Sequence, residues 1–109
     1  MGKHAEIVKF DAAVDKAAAA WVAEMDKAIK QLYTSFRAAT DSLRNKVSRI
    51  PAPKGAPENE FAALKDSINA TIAKRASGRR YSGKLSVNVD AKSRSLDISG
   101  TELNYPYLD

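Results

Sequence analysis

Residues 5–49 contain no glycine or proline, and their larger apolar residues recur at every third or fourth position. This spacing puts the apolar side chains on one face of an α-helix and does not match the two-residue period of a strand. Several alanines between positions 12 and 20 add high helix propensity. The sequence therefore predicts one long N-terminal helix over residues 5–49. Its apolar stripe comprises Ile7, Phe10, Val14, Ala18, Trp21, Met25, Ile29, Leu32, Phe36, Ala39, Leu43, Val47 and Ile50.

Such a helix would be about 65–70 Å long at a rise of 1.5 Å per residue. A compact domain of this size has a radius of gyration of only about 13 Å. Part of the stripe would therefore need a cover other than the chain's own core. The alternative is a break at Thr40, Asp41 and Ser42, whose side chains compete for local backbone hydrogen bonds. That break would give two helices.

Three prolines within residues 51–57 end the first helix, because proline removes a backbone donor and favours extended structure before it. We predict a second helix over residues 57–77, with Pro57 and acidic residues at its start and basic residues followed by glycine at its end. The short connector predicts that this helix lies antiparallel to the first. It would cover only the half from about Ile29 to Ile50 and leave the half from Ile7 to Met25 without an intrachain cover.

After the loop at 78–83, apolar and polar residues alternate over residues 84–89 and again over 95–99. With a turn-like segment between them, these residues predict a β-hairpin. Residues 100–109 form an apolar tail. The fold class is then mainly α with a minor β part (α+β), in a single domain over residues 1–109.

An uncovered apolar face favours self-association, because each buried large apolar side chain contributes about 1.5–3 kcal/mol. The sequence therefore predicts an oligomeric helical bundle of the coiled-coil type, most simply a homo-oligomer. Trp21 also has two other interpretations, as a core residue or as a binding anchor. The predicted self-association residues are Ile7, Phe10, Val14, Trp21 and Met25.

The motifs of common catalytic and metal sites are missing from the sequence. It has one histidine, His4, no cysteine and no phosphate-binding glycine-rich loop. We therefore predict a protein that is not an enzyme and has no cofactor and no bound metal. Residues 69–71 match the glycosylation sequon, but they lie within the predicted second helix, so we interpret the match as chance.

The net charge of +5 is unevenly distributed. Residues 27–54 contain Lys27, Lys30, Arg37, Arg44, Lys46, Arg49 and Lys54 but a single acid, Asp41. Residues 74–84 are basic and contain no acid. Both segments could face a polyanion, although solvated helix surfaces explain them as well. The second segment predicts contacts with nucleic acid or an acidic partner through Lys74, Arg75, Arg79, Arg80, Tyr81 and Lys84, with the tyrosine stacking on a base.

The tail residues Tyr105, Tyr107 and Leu108 predict either a docking peptide for a partner or a local lid over the helix face. Taken together, these features favour a cytoplasmic, non-enzymatic protein–protein interaction module, such as an adaptor, inhibitor or structural component, that self-associates and binds another protein. The alternative function is that of an oligomeric nucleic-acid-binding protein that uses residues 74–84. Neither interpretation involves a membrane.

Overall fold

The helix predicted over residues 5–49 is not one helix. A computed structural model describes residues 4–30 and 36–105, in which α1 covers Ala5–Lys30 and α2 covers Phe36–Ser48. The indole Nε1 of Trp21 donates a hydrogen bond to Thr40 Oγ1 at 3.2 Å. In one straight helix these residues would be about 28 Å apart. The chain therefore reverses direction between α1 and α2, and the prediction of a single long helix is wrong.

The alternative prediction of two helices is confirmed, but its break at Thr40 is wrong, because Thr40 lies inside α2. Its hydroxyl donates to the Phe36 carbonyl one turn earlier, at 2.9 Å, and accepts the hydrogen bond from Trp21. A buried threonine in a helix interior is thus fully satisfied, and the local competition expected of it does not end the helix. The reversal lets the apolar stripes of the two helices cover each other.

The second predicted helix is present as two segments, α3 over Glu58–Ala62 and α4 over Leu64–Arg75. The residues before α3 form the predicted proline-rich connector, in which Pro53 is buried and the Ala56 N–H donates to the Pro53 carbonyl at 3.0 Å. Gly78 has a φ of 81°, the left-handed conformation that commonly ends a helix. The extent of this helical region is therefore close to the prediction.

The orientation of α4 differs from the prediction. The Ser67 hydroxyl donates to Asp11 at 3.0 Å, and Arg75 Nε donates to Asp15 at 2.8 Å. Because residue numbers increase together along both helices, α4 runs parallel to α1 instead of antiparallel. It also covers the N-terminal half of α1, which the sequence analysis left uncovered. The cause is the missed reversal, which adds one more change of direction before α4.

The predicted hairpin is confirmed and is longer than expected. Strand β1 covers Ser82–Asp90 and pairs in antiparallel fashion with β2, which covers Ser95–Asn104. The register shifts between Ser86, opposite Gly100, and Val87, opposite Ile98, so that β2 carries a bulge. The first half of the predicted apolar tail is therefore part of β2.

The five longer elements close into a ring around one core, in the order α1, α2, β2, β1 and α4. Each element directs its apolar face inward, and α3 adds the buried Phe61. Within the described residues the fold is mainly helical, with four helices and one two-stranded sheet. The largest fully buried side chains are those of Trp21, Phe61, Met25, Leu43, Leu64, Ile68, Ile72, Val14, Val47 and Pro53.

Asn69 joins α4 to the edge of the hairpin. Its Nδ2 donates to the Leu85 carbonyl at 3.0 Å, and its Oδ1 accepts the Leu85 N–H at 2.8 Å. The side-chain amide thus replaces the backbone of a neighbouring strand at this position. It satisfies two polar groups that the sheet edge would otherwise leave unpaired beside a helix.

We expect Asn69→Ala to lower the free energy of unfolding by about 1–3 kcal/mol, because it leaves both Leu85 backbone groups without partners. Asn88→Ala is the matched control: the Asn88 side chain is exposed and donates only a long hydrogen bond of 3.4 Å to Ser99. The control should change stability by less than about 0.5 kcal/mol. Urea unfolding followed by Trp21 fluorescence measures both, and equal losses in the two variants would contradict the role assigned to Asn69.

Gly83 is required by the packing of Trp21. A Cβ atom at this position would lie 2.8 Å from two carbons of the indole ring, Cη2 and Cζ2. Trp21 is only 1% exposed, so its ring has no room to withdraw. We therefore interpret Gly83 as the position at which β1 comes close to α1.

We expect Gly83→Ala to destabilise the fold by about 1–3 kcal/mol through overpacking. Gly55→Ala is the control, because no atom would lie within 4 Å of the new methyl group. That variant should be as stable as the natural protein or slightly more stable. Thermal unfolding of both variants tests the expectation, which fails if Gly83→Ala has the same melting temperature as the natural protein.

Candidate functional site

The residues predicted for self-association are buried within the single chain. Ile7, Phe10, Val14, Trp21 and Met25 are each 3% exposed or less. They face α2, α4 and the hairpin, so the premise that this half of α1 lacks an intrachain cover is wrong. Trp21 is a core residue and not an exposed anchor. Self-association stays a prediction, but these five side chains are not an available surface for it.

Several of the predicted contact residues lie together in a surface cleft. The cleft has a volume of about 500 Å³ and lies between α1 and the C-terminal end of α4. Its α1 side presents small or short apolar residues and one carboxylate, and the end of α4 with the turn after it presents three cations. The lining residues are Ala19, Val22, Ala23, Asp26, Lys74, Arg75 and Arg79.

Two carboxylates of α1 hold the arginines of this cleft. Arg75 contacts Asp15 through two hydrogen bonds, at 2.8 Å and 2.5 Å, and Arg79 contacts Asp26 at 3.3 Å. The hydrogen bond from Arg75 lowers the pKa of Asp15, and the reciprocal contact raises the pKa of Arg75. These pairs are about 40% exposed, so they contribute little to stability. Their effect is to orient the guanidinium groups along the cleft.

Tyr81 is not available to stack on a base, which corrects its predicted role. Its ring is 3% exposed and meets the Trp21 ring edge-on, with 5.4 Å between centroids. The hydroxyl donates to Asp26 Oδ1 at 2.9 Å. Burial, followed by this hydrogen bond to a carboxylate, raises the pKa of Tyr81 well above its usual range. Tyr81 therefore positions Asp26 from inside the core.

Tyr105 packs against the rings of Phe36 and Tyr81 instead of extending away as a docking residue. Its ring lies 5.1 Å from that of Phe36 and 6.3 Å from that of Tyr81, between centroids. These contacts are with α2 and the loop before β1, and not with the α1 face over which the local lid was predicted. Tyr107 and Leu108 lie outside the described residues.

The other two predicted contact residues do not line the cleft. Arg80 is exposed on the loop before β1. Lys84 is exposed on the outer face of the sheet, opposite Glu102 in the strand register. The structure therefore brings together Lys74, Arg75 and Arg79 and separates Lys84 from them.

Sequence reasoning missed the roles of Asp15 and Asp26. Their partners lie more than 50 residues later in the chain. Helical spacing identifies neighbours within one helix and carries no information about such distant pairs. Asn69 was likewise missed, because its only sequence signal was a chance sequon.

No family model matches the chain, and no curated protein or solved structure is similar to it at a significant level. Over residues 4–30 and 36–105, none of the helices is long and apolar enough to cross a membrane. In the same part of the chain, no group of three or more acidic or histidine side chains is arranged to hold a metal ion.

We expect Tyr81→Phe to change how stability depends on pH. In the unfolded chain a tyrosine ionises near pH 10, whereas its raised pKa keeps Tyr81 protonated in the fold. The stability that the Tyr81 hydroxyl contributes is therefore fully present below about pH 10 and is lost as the pH rises further. Near pH 8 the variant should be less stable by about 1 kcal/mol, because one hydrogen bond is missing.

Urea unfolding between about pH 8 and pH 11 measures this effect as the stability difference between the natural protein and Tyr81→Phe. The difference should shrink at the alkaline end, since phenylalanine does not ionise. A constant difference over the whole range would contradict the assignment.

Proposed function

We propose that this protein is a non-enzymatic protein-interaction module that binds an acidic segment of a partner protein in the cleft between α1 and α4. The observation that carries the proposal is the convergence of Lys74, Arg75 and Arg79 on one cleft with a floor of small α1 residues. A floor of this kind lets a partner backbone come close, while the cations attract its carboxylates.

The existing ion pairs show that the arginines of the cleft can bind carboxylates, and a partner's carboxylates could take the same positions. Asp15 and Asp26 hold Arg75 and Arg79 from the α1 side, and both pairs remain partly exposed to water. An incoming carboxylate can share or replace these contacts with little rearrangement. Lys74 is exposed and, among the described residues, forms no ion pair, so it adds a third cation to the cleft.

A second candidate function, binding of nucleic acid, is favoured by a different surface from the one first predicted. Within residues 27–30 and 36–54, no salt bridge neutralises the seven basic residues, and their surface includes α2. In the segment 74–84, by contrast, Arg75 and Arg79 are paired and Tyr81 is buried. The α2 side therefore offers a phosphate backbone more unpaired positive charge than the segment 74–84 does.

Two double variants and two probes separate these functions. Lys74→Ala with Arg79→Ala changes the cleft, and Lys46→Ala with Arg49→Ala removes the same charge from the α2 side. The probes are a peptide of alternating glutamate and alanine, with a glutamine peptide as control, and a mixed-sequence DNA duplex. We expect the cleft variant to bind the glutamate peptide about tenfold more weakly, which corresponds to about 1.4 kcal/mol.

Nuclear magnetic resonance titration measures these affinities and locates the peptide through the amides of Ala19 and Ala23. The α2 variant should keep its affinity for the peptide. Equal losses in both variants, or equal binding of the glutamine peptide, would contradict the cleft as the site. DNA binding that falls with salt and is lost only in the α2 variant would establish the second function.

A further inference from the structure

The two outer edges of the hairpin differ in their hydrogen bonding. In an antiparallel pair, alternate residues direct both backbone groups away from the partner strand. Leu85 is such a residue on β1, and the Asn69 side chain binds both of its groups. Its register partner Thr101 must therefore direct its own groups to the outer edge of β2. The same alternation continues along the register. The backbone groups of Leu103, on one side of the bulge, and of Ile98 and Leu96, on the other, therefore also point to the outer edge of β2.

Nothing in the described part of the chain plays the role of Asn69 at the β2 edge. No hydrogen bond between described residues uses the outward backbone groups of Leu96 or Ile98. Both residues are only partly buried. The stretch before the bulge thus presents two N–H donors and two carbonyl acceptors in the spacing that a further strand requires.

A groove with both apolar and polar lining runs beside this stretch. It has a volume of about 230 Å³ and lies between β2 and the C-terminal end of α2. One side of it is lined by Val47, Ser48, Ile50 and Ala52, and the other by Leu96, Asp97 and Ile98. A strand added to β2 would direct alternate side chains toward this groove and the others toward solvent. On the solvent side it would lie beside Asp97, which is exposed.

A second copy of the chain does not fit this edge. A symmetric dimer through this edge would pair the β2 strands of two copies in antiparallel fashion. In every such register in which two successive outward-facing residues of one copy pair with two of the other, an acid lies opposite an acid. Asp97 would face Asp97 or Glu102 of the other copy, or the two Glu102 residues would face each other. Like charges directly opposite each other destabilise a strand pair. Residues 95–104 contain no lysine or arginine that could compensate.

We propose that β2 and the groove beside it bind an extended, basic segment of another protein by strand addition. Backbone hydrogen bonds to Leu96 and Ile98 supply the binding energy, and an apolar side chain of the segment enters the groove. A lysine or arginine of the segment, next to Asp97 on the solvent side, supplies the charge selection. The bulge at Ser99 and Gly100 limits the paired stretch to about four residues, Ser95–Ile98.

This surface is separate from the cleft between α1 and α4 and selects the opposite charge. The two proposals can therefore fail independently. The probe is an acetylated, amidated Lys-Val-Lys-Val-Lys peptide, which the cationic cleft repels. We expect it to slow amide hydrogen exchange at Leu96 and Ile98, and to do so roughly tenfold when the free peptide is about nine times its Kd, because a bound ligand protects by the factor 1 + [L]/Kd.

Two control peptides and two variants make the test specific. The same peptide with both valines N-methylated cannot complete the strand pairing and should give no protection. A Glu-Val-Glu-Val-Glu peptide should also give none. Asp97→Asn should weaken binding severalfold, whereas Asp66→Asn, which removes an exposed acid from α4, should leave it unchanged. Because Asp97 is exposed and the methylated peptide needs no variant, the test does not depend on a destabilised protein.

The proposal is overturned if the amides of Leu96 and Ile98 are not protected, or if the methylated or glutamate peptide protects them equally. It is also overturned if sedimentation shows a dimer of the free protein in which these same amides are protected, since the occupant would then be a second copy. Protection that falls with salt and with Asp97→Asn supports it.

Discussion

The packing of Trp21 is the interaction on which the rest of this fold depends. The indole ring lies in the middle of the ring of elements, and residues of α2, of β1 and of the loop before β1 contribute to its site. Thr40 of α2 accepts its N–H, Gly83 of β1 leaves space for its ring, and Tyr81 meets it edge-on. These contacts pack the buried ring and give its N–H a hydrogen-bond partner, as a buried tryptophan usually requires. They therefore couple the reversal after α1 to the position of the hairpin.

The direction of α4 determines how charge is distributed over the molecule. Because α4 runs parallel to α1, its basic end meets the carboxylates of α1, and Arg75 and Arg79 are paired within the fold. The α2 side has a single acid of its own and stays cationic. On the sheet, β2 carries only acids. The result is a molecule whose cleft, α2 side and strand edge select different partners.

Local patterns predicted the elements better than their arrangement. The two-residue alternation predicted the hairpin, and the prolines predicted the connector before α3, because these signals act between residues close in sequence. The reversal before Phe36 was missed because the apolar period continues through it without a proline or glycine. The bulge in β2 was missed because the predicted strand ended at residue 99, and the residues after it were assigned to the tail. Because this reversal between α1 and α2 was missed, the predicted direction of α4 relative to α1 was inverted.

By itself, the sequence determined which residues are apolar and belong to the core, which segments carry net charge, and where helices give way to strands. Only the tertiary structure decided which of those residues remain exposed. Tyr81, predicted as a surface contact, is buried because the chain after α4 turns back onto Trp21. Asp15 and Asp26 neutralise arginines more than 50 residues away. Whether a charged or aromatic side chain is available to a partner depends on contacts between distant segments, and local spacing carries no record of them.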